Sequence, residues 1–141
     1  MCSPKLLRGR HALRKPADLA HHTLLHLEHR QDWSKWLDAA GVKDADLSRG
    51  PVLNQVSMVI DAAVDGQGVA LARTALAARD LICGHLVSPF SLALPVSYAY
   101  WIVCPKATAK LPKIAIFREW LLAEATEDAR RLRKIAPKAV R

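Results

Sequence analysis

With 141 residues, 51% apolar and 24% charged, the chain is expected to form one globular domain with a buried core. No apolar run approaches the ~20 residues that span a bilayer. The basic opening "MCSPKLLRGRHALRKPADL" has no continuous apolar segment behind its charges, so it does not read as a secretory signal and a cytoplasmic location is expected.

The net charge of +8 raises nucleic acid as a partner, but its distribution argues otherwise. The last 13 residues, "ARRLRKIAPKAVR", hold six Lys/Arg and no acid, and the remaining 15 Lys/Arg face 13 Asp/Glu. Residues 128–141 therefore read as a solvated, disordered basic tail. A second basic cluster, Lys5, Arg8, Arg10, Arg14 and Lys15, lies near the start. Cys2, Cys83 and Cys104 are far apart and fit neither a zinc site nor a disulfide framework.

In chain order, Pro16–Leu19 reads as a short helical turn with proline at an early position. "HTLLHLE" is an apolar run of strand length. "QDWSKWLDAAGV" places Trp33, Trp36, Leu37 and Ala40 on one helical face, with Asp32 as N-cap and Gly41 as the terminating glycine. "PVLN" is a short strand. In "NQVSMVIDAAVDGQG", Val56, Val59, Ile60, Ala63 and Val64 form a helical stripe, capped by Asn54 or Ser57 and ended by Gly66. "VALA" reads as a buried strand and "RTALAARDL" as a short helix. "GHLVSPF" reads as an edge strand stopped by Pro89, and "VSYAYWIVCP" as a longer strand rich in aromatic and β-branched residues. A last helix is expected from Pro112 to about Glu127, with Ile114, Phe117, Trp120 and Leu121 apolar. The alternation of strand and helix predicts an α/β fold with a mainly parallel sheet flanked by helices.

Gly66-Gln67-Gly68 is not a phosphate loop on this reading. Such loops lead from a strand into a helix, whose N-terminus holds the anion. Here a helix comes first and a strand follows, and no third glycine completes the pattern.

The segments "CSPKLL", "PADLAHHTLLHLEHRQDWSKWLDAAGV", "DAAVDGQGVALARTALAARDLICGHLVSPF", "YAYWIVCP" and "FREWLLAEA" occur in an order that resembles the effector-binding region of LysR-type transcriptional regulators. "DWSKWLDAAGV" and "FREWLLAEA" are most similar to the branch that includes the glycine-cleavage-system activator. The resemblance covers residues 2–125 and implies part of a periplasmic-binding-protein-like effector domain in residues 1–127. It implies the second of two α/β subdomains, plus a return strand around Tyr98–Cys104 and a last helix that in the family packs on the first subdomain. The winged helix-turn-helix and most of the first subdomain are expected to lie outside this chain.

Ligands of open α/β sheets lie beyond the carboxyl ends of the strands, where helix N-termini offer free N–H groups. The strand-to-helix junction Asn54, Gln55, Val56 and Ser57 is such a place, and by resemblance it faces the effector cleft. Asn54 or Ser57 serving only as a helix cap is the plainer reading. His26 with Glu28, and Ala72 with Arg73, end two other strands and are the secondary candidates.

His21, His22, His26 and His29 cluster in sequence, but strand alternation separates His21 from His22 and no cysteine or well-spaced aspartate completes a tetrahedral set. Asp61 and Asp65 are i, i+4 and face water. No Gly-x-Ser-x-Gly or His-Glu-x-x-His pattern is present, so neither an enzyme nor a cofactor protein is indicated. The expected function is effector sensing for a LysR-type regulator, with a small polar metabolite as ligand and self-association or full-length subunits as partners. No DNA binding is expected from this stretch alone. The alternatives are a mis-started or inactive piece of a longer regulator, or a non-specific nucleic-acid binder acting through the basic tail.

Overall fold

Adjacent residues of a strand point to opposite faces of its sheet, and this splits the apolar residues of the chain into two cores. The structure is a computed structural model and describes residues 1–135 apart from 29, 44, 97 and 98. Strand β1 (Leu24–Leu27) lies between β2 (Val52–Leu53) and β3 (Val69–Ala70), all parallel. His26 pairs with Val52 and Leu27 with Leu53 on one side. Leu24 pairs with Val69 and Leu25 with Ala70 on the other.

Leu24 and Val69 join one core with Trp33, Trp36 and Leu37 of helix α1 (Gln31–Ala39). Leu25 and Ala70 join the opposite core with Val59, Ile60 and Ala63 of α2 (Val56–Val64). Ala78 and Leu81 of α3 (Ala78–Ile82) and Leu132 of α4 (Pro112–Ile135) complete that second core. The α/β architecture with a parallel sheet between helices is the one expected from the alternation of elements. The indole N–H of Trp33 donates to the Leu25 carbonyl at 3.0 Å, which satisfies the polar edge of a fully buried ring.

Both central helices end on glycine. Gly41 (φ 69°) donates its N–H to Asp38 O and Val42 to Leu37 O. Gly66 (φ 83°) donates to Ala63 O and Gln67 to Ala62 O. Each pair of bonds is a Schellman closure, which needs a left-handed residue at that position. Gly68 has a different role. A Cβ there would stand 2.5 Å from the Thr23 carbonyl oxygen and 3.1 Å from Leu25 Cγ, so its lack of a side chain lets the chain enter β3 against β1. The Gly66–Gly68 turn is thus a helix-to-strand connector, as its order in the sequence predicts.

Several expected elements differ. The cap of α1 is Arg30 rather than Asp32, which lies inside the first turn, where its negative charge still opposes the helix dipole favourably. The cap of α2 is Gln55, not Asn54 or Ser57, and no side chain among the described residues bonds to the helix's first backbone N–H groups. The helix expected in "RTALAARDL" is confined to Ala78–Ile82, after a turn in which Leu76 and Ala77 both donate to the Arg73 carbonyl. "GHLVSPF" shortens to a single antiparallel bridge, Cys2 with Val87, because the next hydrogen-bonded pair would set His85 against Pro4, which has no N–H and begins a 3-10 turn. In "VSYAYWIVCP" the described residues, 96 and 99–105, form no strand, since they pair with no strand among the described residues, and residues 97 and 98 lie outside the described set. The basic tail expected from residue 128 is instead helical to Ile135, because Leu132 is buried against α3. Residues 136–141 lie outside the described set.

Candidate functional site

Three parallel strands send their carboxyl ends to one edge, and the sequence elements that follow each strand assemble there. After β2, Asn54 and Gln55 lead into α2. Gln55 is extended (φ −133°, ψ 134°), and its carbonyl receives the first helical bond, from Val59 N–H at 3.3 Å. The backbone N–H groups of Val56, Ser57 and Met58 donate to no group among the described residues, which leaves a helix N-terminus with its partial positive charge open. Asn54, Gln55 and Ser57 are exposed around it, and Val56 is partly buried. This is a cradle that suits a carboxylate or another small oxyanion.

Arg73 follows β3 and is exposed on the same edge. With β1 between β2 and β3, it stands across the middle strand from Asn54, about 10 Å away sideways at normal strand spacing. The fold therefore puts Asn54–Ser57 and Arg73 on one edge without bringing them into contact.

His26 is a different case. It is 1% exposed and turned towards α1, not outward to the edge. Its Nε2 lies 3.0 Å from Arg30 Nη1 and 3.0 Å from the Arg49 carbonyl oxygen, and its Nδ1 has no partner among the described residues. A bare Nε2 accepts from Arg30, whereas a protonated Nε2 donates to Arg49 O, so one neutral ring satisfies one of these contacts at a time. His26 supports the loop before β2; it does not present itself to a ligand.

Arg30 is the residue that sequence reasoning missed. Its guanidinium donates to Leu47 O at 2.6 Å, Gly50 O at 3.1 Å and Arg49 O at 3.3 Å, and so ties the loop that delivers β2 to the start of α1. In the same loop Asp46 accepts from Ser48 N–H at 2.9 Å and from Ser48 Oγ at 2.6 Å. These bonds, and after them the charges of Arg49 and Arg30, hold the Asp46 carboxyl below the usual carboxylate range. Glu28, next to the same corner, has φ 53°, the one positive φ of a non-glycine residue among those described. No local signal in the sequence marks Arg30, since its carbonyl partners lie in a loop about 20 residues further on, whereas Glu28 was legible as a strand-end residue but not as one of positive φ.

The histidine cluster is dispersed. His21 meets His11 with ring centroids 5.0 Å apart and the rings tilted by 42°, His22 Nε2 lies 2.7 Å from the His11 carbonyl oxygen, and His26 faces inward. Neither His21 nor His22 is in β1, so strand alternation does not govern them; they belong to the preceding 3-10 turn and its end. His29 lies outside the described residues, among which no group of three or more metal-ligating side chains converges.

Several large apolar side chains stand in solvent. Trp101 is 82% and Val103 87% exposed, and on α4 Phe117 and Trp120 are more than half exposed with their rings 5.6 Å apart. The described residues form no helix long and apolar enough to cross a membrane.

Comparison with known proteins agrees with the fold. Residues 1–126 match the family model described as LysR substrate binding domain. The glycine cleavage system transcriptional activator of Escherichia coli (strain K12) is 41% identical over 133 residues, which is 94% of this chain and 44% of that protein. The HTH-type transcriptional activator AmpR of Providencia stuartii is 34% identical over 124 residues, 88% of this chain and 41% of that one. The chain thus spans less than half the length of these curated relatives. Among solved structures, the effector domain of AmpR from Pseudomonas aeruginosa superposes with a TM-score of 0.61 at 35% identity, over 92% of this chain and 60% of that one. The AmpR effector binding domain from Citrobacter freundii gives 0.66 at 26% identity, over 89% and 62%.

Proposed function

The chain belongs to the LysR substrate-binding domain family, and on that premise we propose that it is the effector-sensing part of a transcriptional regulator, taking a small polar metabolite at the carboxyl edge of its sheet. The observation that carries this reading is the open N-terminus of α2. Its free N–H groups are ringed by exposed Asn54, Gln55 and Ser57, with Arg73 on the same edge. A metabolite carboxylate or similar oxyanion sits on the N–H groups, and the neighbouring amide and hydroxyl side chains select its polar remainder.

Regulation follows by linkage. A ligand that binds one arrangement of the assembled regulator more tightly shifts the population towards it, by as much as its affinities for the two arrangements differ. Such a protein works in the cytoplasm without catalysis. The exposed Trp101, Val103, Phe117 and Trp120 supply the association surface, either with a second copy of this chain or with full-length subunits.

The test is a thermal-shift screen of small polar metabolites on the chain and on its Val56→Pro variant. Val56 is the first helical residue, and proline is tolerated there. The extended Gln55 also suits a following proline. The substitution deletes one free N–H while keeping the helix. A metabolite that raises the midpoint of the parent and has a clearly weaker effect on V56P supports the site. Stabilisation that V56P leaves unchanged rejects it.

A further inference from the structure

We propose a second ligand site, for a small amphiphilic organic anion, in the hollow between Arg14–Lys15, the C-terminal end of α1 and the segment around Phe90. The hollow is an open depression of about 400 Å³, a volume within the roughly 300–1,000 Å³ of small-molecule sites. It lies at the end of α1 where the helix finishes, whereas the carboxyl edge of the sheet is where α1 begins. It is therefore separate from the Asn54–Ser57 junction.

Its two sides differ chemically. On one, the exposed side chains of Arg14 and Lys15 make no ion pair among the described residues. Their backbone is fixed, because both N–H groups donate to Asp18 Oδ2 at 2.9 Å. The Asp18 carboxylate is occupied in that turn by these two backbone bonds. On the other side are Ala40, Phe90 and Leu92, an apolar wall packed against the core, with exposed Ala39 at its rim. Phe90 packs on Trp36 with ring centroids 5.5 Å apart, and the Trp36 indole N–H points at the Leu92 carbonyl at 3.4 Å.

The last carbonyls of α1 put partial negative charge on the apolar side. An anion is thus oriented one way: its carboxylate on Arg14 and Lys15, its hydrocarbon or aromatic body on Phe90 and the two alanines. Arg14 suits this role because a guanidinium pairs a carboxylate through two parallel N–H bonds.

The experiment is a heteronuclear NMR titration of the full chain with 3-phenylpropionate, with neutral 3-phenylpropanamide as its control. The Trp36 indole N–H and the Phe90 and Leu92 amides are the reporters. The expected result is a saturable shift of these signals by the carboxylate, about tenfold weaker for the amide and for the variant R14Q/K15Q, as loss of a charge-assisted bond implies. The Gln55 and Ser57 amides stay in place. Arg14 and Lys15 are exposed, so the double variant keeps the fold, and Phe90→Leu tests the apolar wall by weakening both probes equally. Absence of a saturable shift, equal affinity for acid and amide, or an unaltered affinity in R14Q/K15Q overturns the proposal.

Discussion

Arg30 Nη1 lies 3.0 Å from Nε2 of the buried His26, and the same guanidinium holds the carbonyls of Leu47 and Gly50. A cation at a helix N-terminus opposes the helix dipole. Arg30 stands there because the clamp outweighs that cost. Replacing it by alanine leaves the loop carbonyls without these donors and is expected to destabilise the chain by about 2 kcal/mol, the range for bonds made by a charged group. Lysine restores the charge but not the fork, so Arg30→Lys recovers only part. Urea midpoints of the three proteins measure this. Hydrogen exchange locates it, since the His26 and Glu28 amides that bond to Pro51 O and Leu53 O lose protection first.

Gly66 and Gly68 separate two kinds of glycine requirement. Gly66→Ala places a Cβ at φ 83° with only Ser3 Cβ nearby at 3.8 Å, so it meets conformational strain alone, about 1 kcal/mol. Gly68→Ala forces a methyl onto the Thr23 carbonyl and Leu25 and is expected to cost more, about 2–3 kcal/mol, as overpacking does. Chemical denaturation of the two single variants gives the order. Neither changes the response to inorganic phosphate, because the turn follows a helix C-terminus.

Leu132 distinguishes a structural helix from a charged tail. Leu132→Ala is expected to lower stability by about 2–3 kcal/mol through the cavity left against α3. Lys134→Ala, two residues on and exposed, changes it by less than about 0.5 kcal/mol. Equal effects in thermal unfolding would return this stretch to the status of a solvated tail.

Acid acts on the same helix. Arg130 Nε and Nη2 and Arg131 Nε bond to the Glu127 carboxylate at 2.7–2.8 Å and hold its pKa down to about 2. A carboxyl depressed in the folded state stabilises above its unfolded pKa and loses that contribution as pH falls through the folded value. Protection of the last turns of α4 is therefore expected to decline between about pH 4.5 and about pH 2, and Glu127→Gln removes this dependence. The group is at the surface, so salt weakens the effect.

The exposed aromatics predict association. Sedimentation of the parent chain is expected to show concentration-dependent self-association, relieved in the variant W101S/F117S/W120S. A parent that stays monomeric across the concentration range removes these residues from the association surface.

What the sequence disclosed was what depends on near neighbours. The glycine closures at Gly41 and Gly66, the stripe Val59–Ile60–Ala63 and the strand–helix order from β1 to α3 are set within a few residues, and each is found as read. The resemblance to LysR-type effector domains carried the fold class, and the family match agrees. Misreadings arose where the deciding partner is distant. "VSYAYWIVCP" has strand composition, yet its described part pairs with nothing. The helix beyond Glu127 was hidden by its charge, although Leu132 repeats the stripe of Ile114 and Leu121 at helical spacing. His26 was legible as a strand-end residue but not as a buried one, because its cover comes from Arg30 and the loop near Arg49. At the candidate site, the open start of α2 followed from the strand–helix order, whereas the absence of a side-chain cap is a property of the folded geometry.

The most direct test of effector sensing at the carboxyl edge is a backbone-amide NMR titration of the chain with the metabolite that gives the largest thermal shift. The account predicts saturable movement of the Gln55, Val56 and Ser57 amide signals, with those around Gly41 unmoved. Saturable binding that leaves these three amides unchanged would contradict it.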